Sequence, residues 1–178
     1  TKNTDFTVVT IFVNPTQFGP NEDLDKYPRN LQQDTRLLSA YNVDVIFTPT
    51  VETMYPAGAS TRVVPPAVAS PFAGRLRPKH FEGVATIVLK LFHLIPADIA
   101  FFGQKDYQQT RVIGQMIEDL DIPIQVQVCP IIREDDGLAL SSRNAYLSDA
   151  ERRQAVALSQ ALFCLQKMIL FTLQMKMT

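Results

Sequence analysis

A chain of 178 residues and 20.0 kDa has room for one ordinary domain, or for a domain with an appendage. Hydrophobic residues at 46% and charged residues at 20% exclude disorder and collagen, and two cysteines exclude a disulfide scaffold. Seventeen Lys+Arg against eighteen Asp+Glu leave a net charge of -1, which removes any compositional case for nucleic-acid binding.

Thr1–Asp5 is too polar for a secretory signal, and the chain enters a strand almost at once, so residues upstream are expected. Phe6–Val13 is a continuous apolar, β-branched run, the pattern of a strand buried on both faces of a parallel sheet; Asn14-Pro15 ends it. Leu31–Tyr41 reads as a helix and Val43–Phe47 as a second strand. Tyr55–Pro78 breaks the rhythm with Pro56, Pro65, Pro66, Pro71 and Pro78, an excursion from the sheet with a short edge strand at Thr61–Val64. Val84–Leu94 carries Val84, Ile87, Val88 and Leu91 on one helical stripe, and Ile99–Phe102 reads as a third strand. Tyr107–Leu120 repeats the helical spacing with Ile113, Met116, Ile117 and Leu120, and Ile124–Val128 is a weaker strand. Strands alternating with helices predict an α/β domain with a parallel sheet.

Near the end, Leu162–Leu173 is the most apolar window. It is shorter than the about 20 residues a membrane span needs, and Gln166 and Lys167 interrupt it, so a buried or partner-facing helix is expected. Cys129 and Cys164 are too far apart for a zinc knuckle and suit a reducing compartment.

Ligands of open α/β sheets bind outside the carboxyl ends of the strands. The segments to inspect are therefore Asn14–Gly19, Gly103–Gln109, Arg133–Gly137 and Leu140–Asn144. Backbone amides at a helix start, with Lys105 beside them, suit a phosphate. In the alternative, Gly103 is a turn residue, Lys105 is solvated and Asp106 is an N-cap. Ser141-Ser142-Arg143 is equally two-sided, because serines before a helix often cap it. Gln17, Gln108 and Gln109 are either exposed spacers or donor–acceptor pairs suited to a hydroxy acid. Neither a Walker loop nor GxGxxG occurs.

Taken jointly, Ile11–Arg29 (IFVNPTQFGPNEDLDKYPR), Arg77–Phe92 (RPKHFEGVATIVLKLF), Phe102–Gln109 (FFGQKDYQQ) and Arg133–Ser148 (REDDGLALSSRNAYLS) resemble the pantothenate synthetase family, the pantoate–β-alanine ligases. The resemblance runs from about Phe6 to about Leu158. It implies a Rossmann-like parallel sheet of the nucleotidyltransferase, class I aminoacyl-tRNA synthetase-like group. It further implies condensation of pantoate with β-alanine through a pantoyl-adenylate, with ATP and Mg2+, in a cytoplasmic homodimer that needs neither nucleic acid nor membrane.

By this resemblance Gly103, Gln104, Lys105 and Asp106 hold ATP, with Lys105 on phosphate and Asp106 near the ribose. Ile132 offers a backbone contact to adenine. Leu140, Ser141, Ser142 and Arg143 resemble a mobile phosphate-binding loop, and Lys105, Ser141, Ser142 and Arg143 are the candidate catalytic group. Gln17 and Gln109 resemble the pantoate grip, with Asn14, Arg77 and His80 beside it. Arg77 and His80 are alternatively loop braces. Asp34 is a possible metal residue or a helix cap, and Tyr27 a gate or a packing residue. Gln17 and Gln109 are expected to face one cavity, bordered by Lys105 and Ser141–Arg143.

The family's HxGH-type motif is not among these residues, since His80 and His93 stand outside any such motif. It is expected upstream of Phe6, on a first β-α unit, and a closing C-terminal domain is expected beyond Leu158. The domain is thus assigned to residues 6–158 and a helical tail, unlike the family, to 159–178. On that reading the chain by itself is poorly active; the alternative is a non-catalytic nucleotide- or pantoate-binding remnant.

Overall fold

The computed structural model describes residues 4–175, and the chain divides into two compact units, Thr1–Val128 and Cys129–Thr178. In the first unit β1 (Val8–Thr10) pairs in parallel with β2 (Val45–Phe47), in the register Val8↔Val45, Val9↔Ile46 and Thr10↔Phe47. Helix α1 (Leu31–Leu38) lies between them in sequence, begun by Asn30, whose side chain accepts from the Gln33 amide. The chain then runs through two single-turn helices, α2 (Val51–Met54) and α3 (Ala73–Leu76), to the long helix α4 (His80–Leu94). Strand β3 (Ile99–Gly103), helix α5 (Tyr107–Asp119) and strand β4 (Gln125–Cys129) follow, β3 and β4 forming a second hydrogen-bonded pair.

The expected α/β alternation is therefore present, but the strands are shorter than their apolar runs. Phe6–Val13 contributes a three-residue strand, and none of those three residues is buried. Among the described residues the ladders form two two-stranded sheets, β1–β2 and β3–β4, rather than one continuous sheet. Thr61–Val64 forms no strand: the Val63 amide donates to Thr86 Oγ1 on α4 (2.9 Å), and Pro65-Pro66 has no amide hydrogen for a ladder.

The core of this unit is built on α4. Phe81, Val84, Ala85, Ile87 and Val88 are buried against Val112, Ile113 and Met116 of α5 and Met54 of α2. Phe12 and Phe102, at the ends of β1 and β3, pack against the same cluster. The helix is buried almost all round through its first turns, so the expected one-sided stripe is too narrow. On α5 the buried stripe is Val112, Ile113 and Met116, while Leu120 is exposed beyond the helix end.

The second unit holds an irregular hairpin, a short 3-10 turn at Ser142–Tyr146 and one long helix, α6 (Asp149–Met175). Ser148 and Glu151 open α6 as a reciprocal capping box: the Ser148 amide donates to Glu151 Oε2 (2.9 Å) and the Glu151 amide to Ser148 Oγ (3.4 Å). The Leu162–Leu173 window, expected as a buried or partner-facing helix, is helical, and the buried alternative is overturned. The helix is 27 residues long, and its described side chains beyond Ser159 are exposed. By length and composition alone it is apolar enough to cross a membrane. The part of the tail at residues 176–178 lies outside the described residues.

Candidate functional site

The first cluster is organised by one turn. Asn14 stops β1 and caps the 3-10 turn Pro15–Gln17, accepting from the Thr16 amide, with Pro15 at its first position. Asn14 is buried at 3% exposure, and its polar groups are all engaged. Its Nδ2 donates to Gln17 Oε1 (3.2 Å) and to the Gly83 carbonyl (3.1 Å). Its Oδ1 accepts from Tyr55 Oη and from Thr16 Oγ1, both at 2.9 Å. Because Gln17 accepts from Asn14 through its oxygen, its Nε2 is left as an unengaged donor.

Gly83 lets α4 lie directly on this turn. A Cβ there would stand 2.5 Å from the Thr16 carbonyl oxygen and 2.7 Å from the Gln17 nitrogen. His80, one turn earlier, reaches the Gln17 carbonyl through Nδ1 (2.8 Å), and Arg77 Nη1 lies 3.2 Å from its Nε2. A carbonyl only accepts and a guanidinium only donates, so these partners fix the neutral tautomer with hydrogen on Nδ1. Burial holds the His80 pKa below the usual histidine value, and the Arg77 charge acts in the same direction. Arg77 also grips Glu22, with Nε at 3.0 and 3.1 Å from its two oxygens and Nη2 on Oε2. That hydrogen-bonded guanidinium holds the Glu22 carboxyl below its ordinary range.

At the end of β3, Gly103 leaves open space where a Cβ would be, in front of the 3-10 turn Gln104–Asp106 and the start of α5. Lys105 is paired with Asp106 at 3.5 Å, and its side chain is 40% exposed. Asp106 stands at the N-cap position of α5 but makes no side-chain cap bond, and its charge favours the protonated form of His80. Gln109 is half-buried on α5. Gln108 is no spacer: Nε2 donates to the Val68 and Pro71 carbonyls and Oε1 accepts from the Ala73 amide, stapling the proline-rich excursion to α5.

In the second unit, Arg133 and Ala139 form an antiparallel bridge, and the Leu140 amide donates to the Ile132 carbonyl (2.9 Å). Gly137 turns this hairpin at φ +94°, a conformation that favours glycine. Ser141 caps the following 3-10 turn by accepting from the Arg143 amide, and Ser142, Arg143, Leu140 and Ile132 are all exposed.

The family model for pantoate-beta-alanine ligase matches residues 1–177. The pantothenate synthetase of Acetivibrio thermocellus is 52% identical over 168 residues, which is 94% of this chain and 60% of that protein. The crystal structure of the Thermus thermophilus enzyme superposes with a TM-score of 0.89 at 50% identity, covering 91% of this chain and 59% of that one. The Francisella tularensis ligase, complexed with beta-gamma ATP and beta-alanine, gives a TM-score of 0.84 at 40% identity, over 89% and 61%.

The chain belongs to the pantoate-beta-alanine ligase family. Its α/β fold is that of the family's solved structures, and it spans about 60% of the length of the relatives it matches. Of the sequence-derived candidates, the fold brings Asn14, Gln17, Arg77 and His80 into one hydrogen-bonded cluster, with Asp106 within electrostatic reach. Asn14 is fully used inside the fold and so orients Gln17. Arg77 and His80 brace the Gln17 and Glu22 segments. Tyr27 packs edge-on against Phe18 at 5.9 Å. Asp34 sits in the first turn of α1, and no group of three metal-ligating side chains occurs among the described residues. His93 is exposed on α4, its Nδ1 2.8 Å from the Leu89 carbonyl. The sequence reading missed Glu22 and Tyr55, whose partners lie 41 to 55 residues away.

Proposed function

We propose that this chain carries the nucleotide and pantoate sites of an ATP-dependent ligase that joins pantoate to β-alanine through a pantoyl-adenylate. A carboxylate is a poor acyl donor, so a pantoate oxygen attacks the α-phosphorus of ATP and pyrophosphate departs with the broken P–O bond. The β-alanine amine then attacks the acyl carbon, loses its proton, and AMP leaves. The burden on the protein is to gather anions and to stabilise charge growing on pyrophosphate. In the first unit, Lys105 and the amides at the start of α5 suit a phosphate, and Gln17 and Gln109 suit the hydroxyls and carboxylate of pantoate. In the second unit, Ser141, Ser142 and Arg143 supply hydroxyls and a cation for phosphates. Mg2+ enters as the ion of the nucleotide, which fits a chain without a cage of carboxylates among its described residues, since this cation keeps phosphates and waters as partners.

The observation that carries the reading is Gln17, whose side-chain oxygen is held by Asn14 and whose main-chain carbonyl is held by His80, which leaves its side-chain nitrogen unengaged as a donor. The complex of the Francisella tularensis ligase with beta-gamma ATP and beta-alanine supports the nucleotide and amine assignments. Turnover is assigned to the protein at the length of its relatives, as a cytoplasmic homodimer. The chain alone is expected to bind MgATP and pantoate weakly. Calorimetric titration of the chain with each ligand tests this: pantoate heats abolished by Gln17→Ala support the assignment, and identical isotherms overturn it.

A further inference from the structure

Immediately after its capping box, α6 presents Arg152 to the hairpin that precedes Ser141. Arg152 Nη2 donates to Glu134 Oε2 (2.7 Å) and Nη1 to Asp136 Oδ2 (2.6 Å), so one planar guanidinium spans two carboxylates. Each carboxylate is tied further into the loop. Glu134 Oε1 accepts from Asn144 Nδ2 (2.9 Å), which also donates to the Ala139 carbonyl (3.1 Å), and Asp136 Oδ1 accepts from the Leu138 amide (3.0 Å). Asn144 follows Arg143 directly.

The same helix face continues the grip. Val156 and Ser159, four and seven residues on, are buried at 8% and 4% exposure. Ser159 Oγ would lie 3.2 Å from a Cβ at Gly137, and Phe163 lies under the Arg133 guanidinium at 5.2 Å. Isolated surface ion pairs contribute little, but here one cation joins two acceptors that are themselves bonded to the segment on either side of Leu140–Arg143. A lysine ammonium, a point charge, cannot hold both carboxylates in that fork geometry.

We propose that Arg152 is a positioning residue: through Glu134 and Asp136 it holds the Leu140–Arg143 segment in the conformation that receives the nucleotide phosphates. The nucleotide part rests on the functional reading above; the ordering of the loop does not. The test combines hydrogen exchange over residues 132–147 with MgATP titration, for the chain and for Arg152→Lys and Arg152→Gln. Exchange of the loop should rise about three- to ten-fold in Arg152→Gln, with a smaller rise in Arg152→Lys, while exchange in α4 stays unchanged. MgATP affinity should fall in the same order, by a comparable factor. Should Arg152→Gln fail to fold, Glu134→Gln and Asp136→Asn each remove one arm and should each give part of the effect. Unchanged loop exchange overturns the proposal, as does a loosened loop with unchanged MgATP affinity. Absence of MgATP binding by the unaltered chain overturns the functional reading instead, and the exchange data still decide whether Arg152 orders the loop.

Discussion

Replacing Gly83 by alanine tests whether the close seating of α4 on the Pro15–Gln17 turn holds the site together. The new Cβ would meet the Thr16 carbonyl oxygen at 2.5 Å, the Thr16 carbon at 2.6 Å and the Gln17 nitrogen at 2.7 Å, where ordinary contact begins at 3.4 Å. The turn must retreat by about 0.9 Å (3.4 less 2.5), and because the opposing atoms are backbone no side-chain rotation relieves the clash. Overpacking of this kind costs about 1–3 kcal/mol. The retreat also stretches the Asn14–Gly83 and His80–Gln17 hydrogen bonds, worth about 1 kcal/mol each. Alanine in a helix returns about 1 kcal/mol. The net expectation is a loss of about 2–4 kcal/mol, which lowers the thermal midpoint by about 4–16 °C in a chain of this size. Thermal unfolding followed by circular dichroism reads the first effect, and pantoate titration reads displacement of Gln17. A midpoint unchanged or raised, with pantoate affinity intact, would refute the reasoning, because helix propensity alone would then have decided the outcome.

Three further substitutions or conditions test the first unit. Lys79 precedes α4 in a left-handed conformation, φ 69°, so Lys79→Gly should raise stability by about 0.5–1 kcal/mol, and an unchanged urea midpoint would show that no strain is present. Lys105→Ala should weaken MgATP binding about ten-fold while leaving pantoate binding alone, read by paired titrations; equal loss for both ligands would point to unfolding. His80 is neutral in the fold with its pKa depressed, so the unfolded chain binds the extra proton first and stability falls as pH drops from about 6.5 toward the depressed value. Glu22, also depressed, adds a second loss as pH falls from the ordinary carboxylate value through its own. Both losses should appear in denaturant midpoints measured against pH, and His80→Gln should remove only the upper one.

The helices were legible because their apolar spacing is local: α1, α4 and α5 stand where the 3.6-residue period puts them, with ends shifted by a few residues. Strand extent was less legible. An apolar run such as Phe6–Val13 says which residues avoid water, whereas the ladder depends on how far β2 runs alongside, and β2 offers three residues. The turn at Asn14–Gln17 could be read from its proline and its place after a strand. Its supports could not, since Glu22 meets Arg77 and Tyr55 meets Asn14 only through the tertiary fold. Arg152 was hidden for the same reason: in sequence it is one cation in a charged helix start, and only the fold sets it between Glu134 and Asp136.

The most direct measurement is pantoate-dependent exchange of labelled pyrophosphate into ATP, made on the protein extended to the length of its relatives and on its Gln17→Ala variant. Exchange should require pantoate, proceed without β-alanine, and fall by about a hundred-fold or more in the variant, as expected when a preorganised donor is removed. Exchange that persists without pantoate, or that is undiminished by the loss of Gln17, would contradict the assignment of this site.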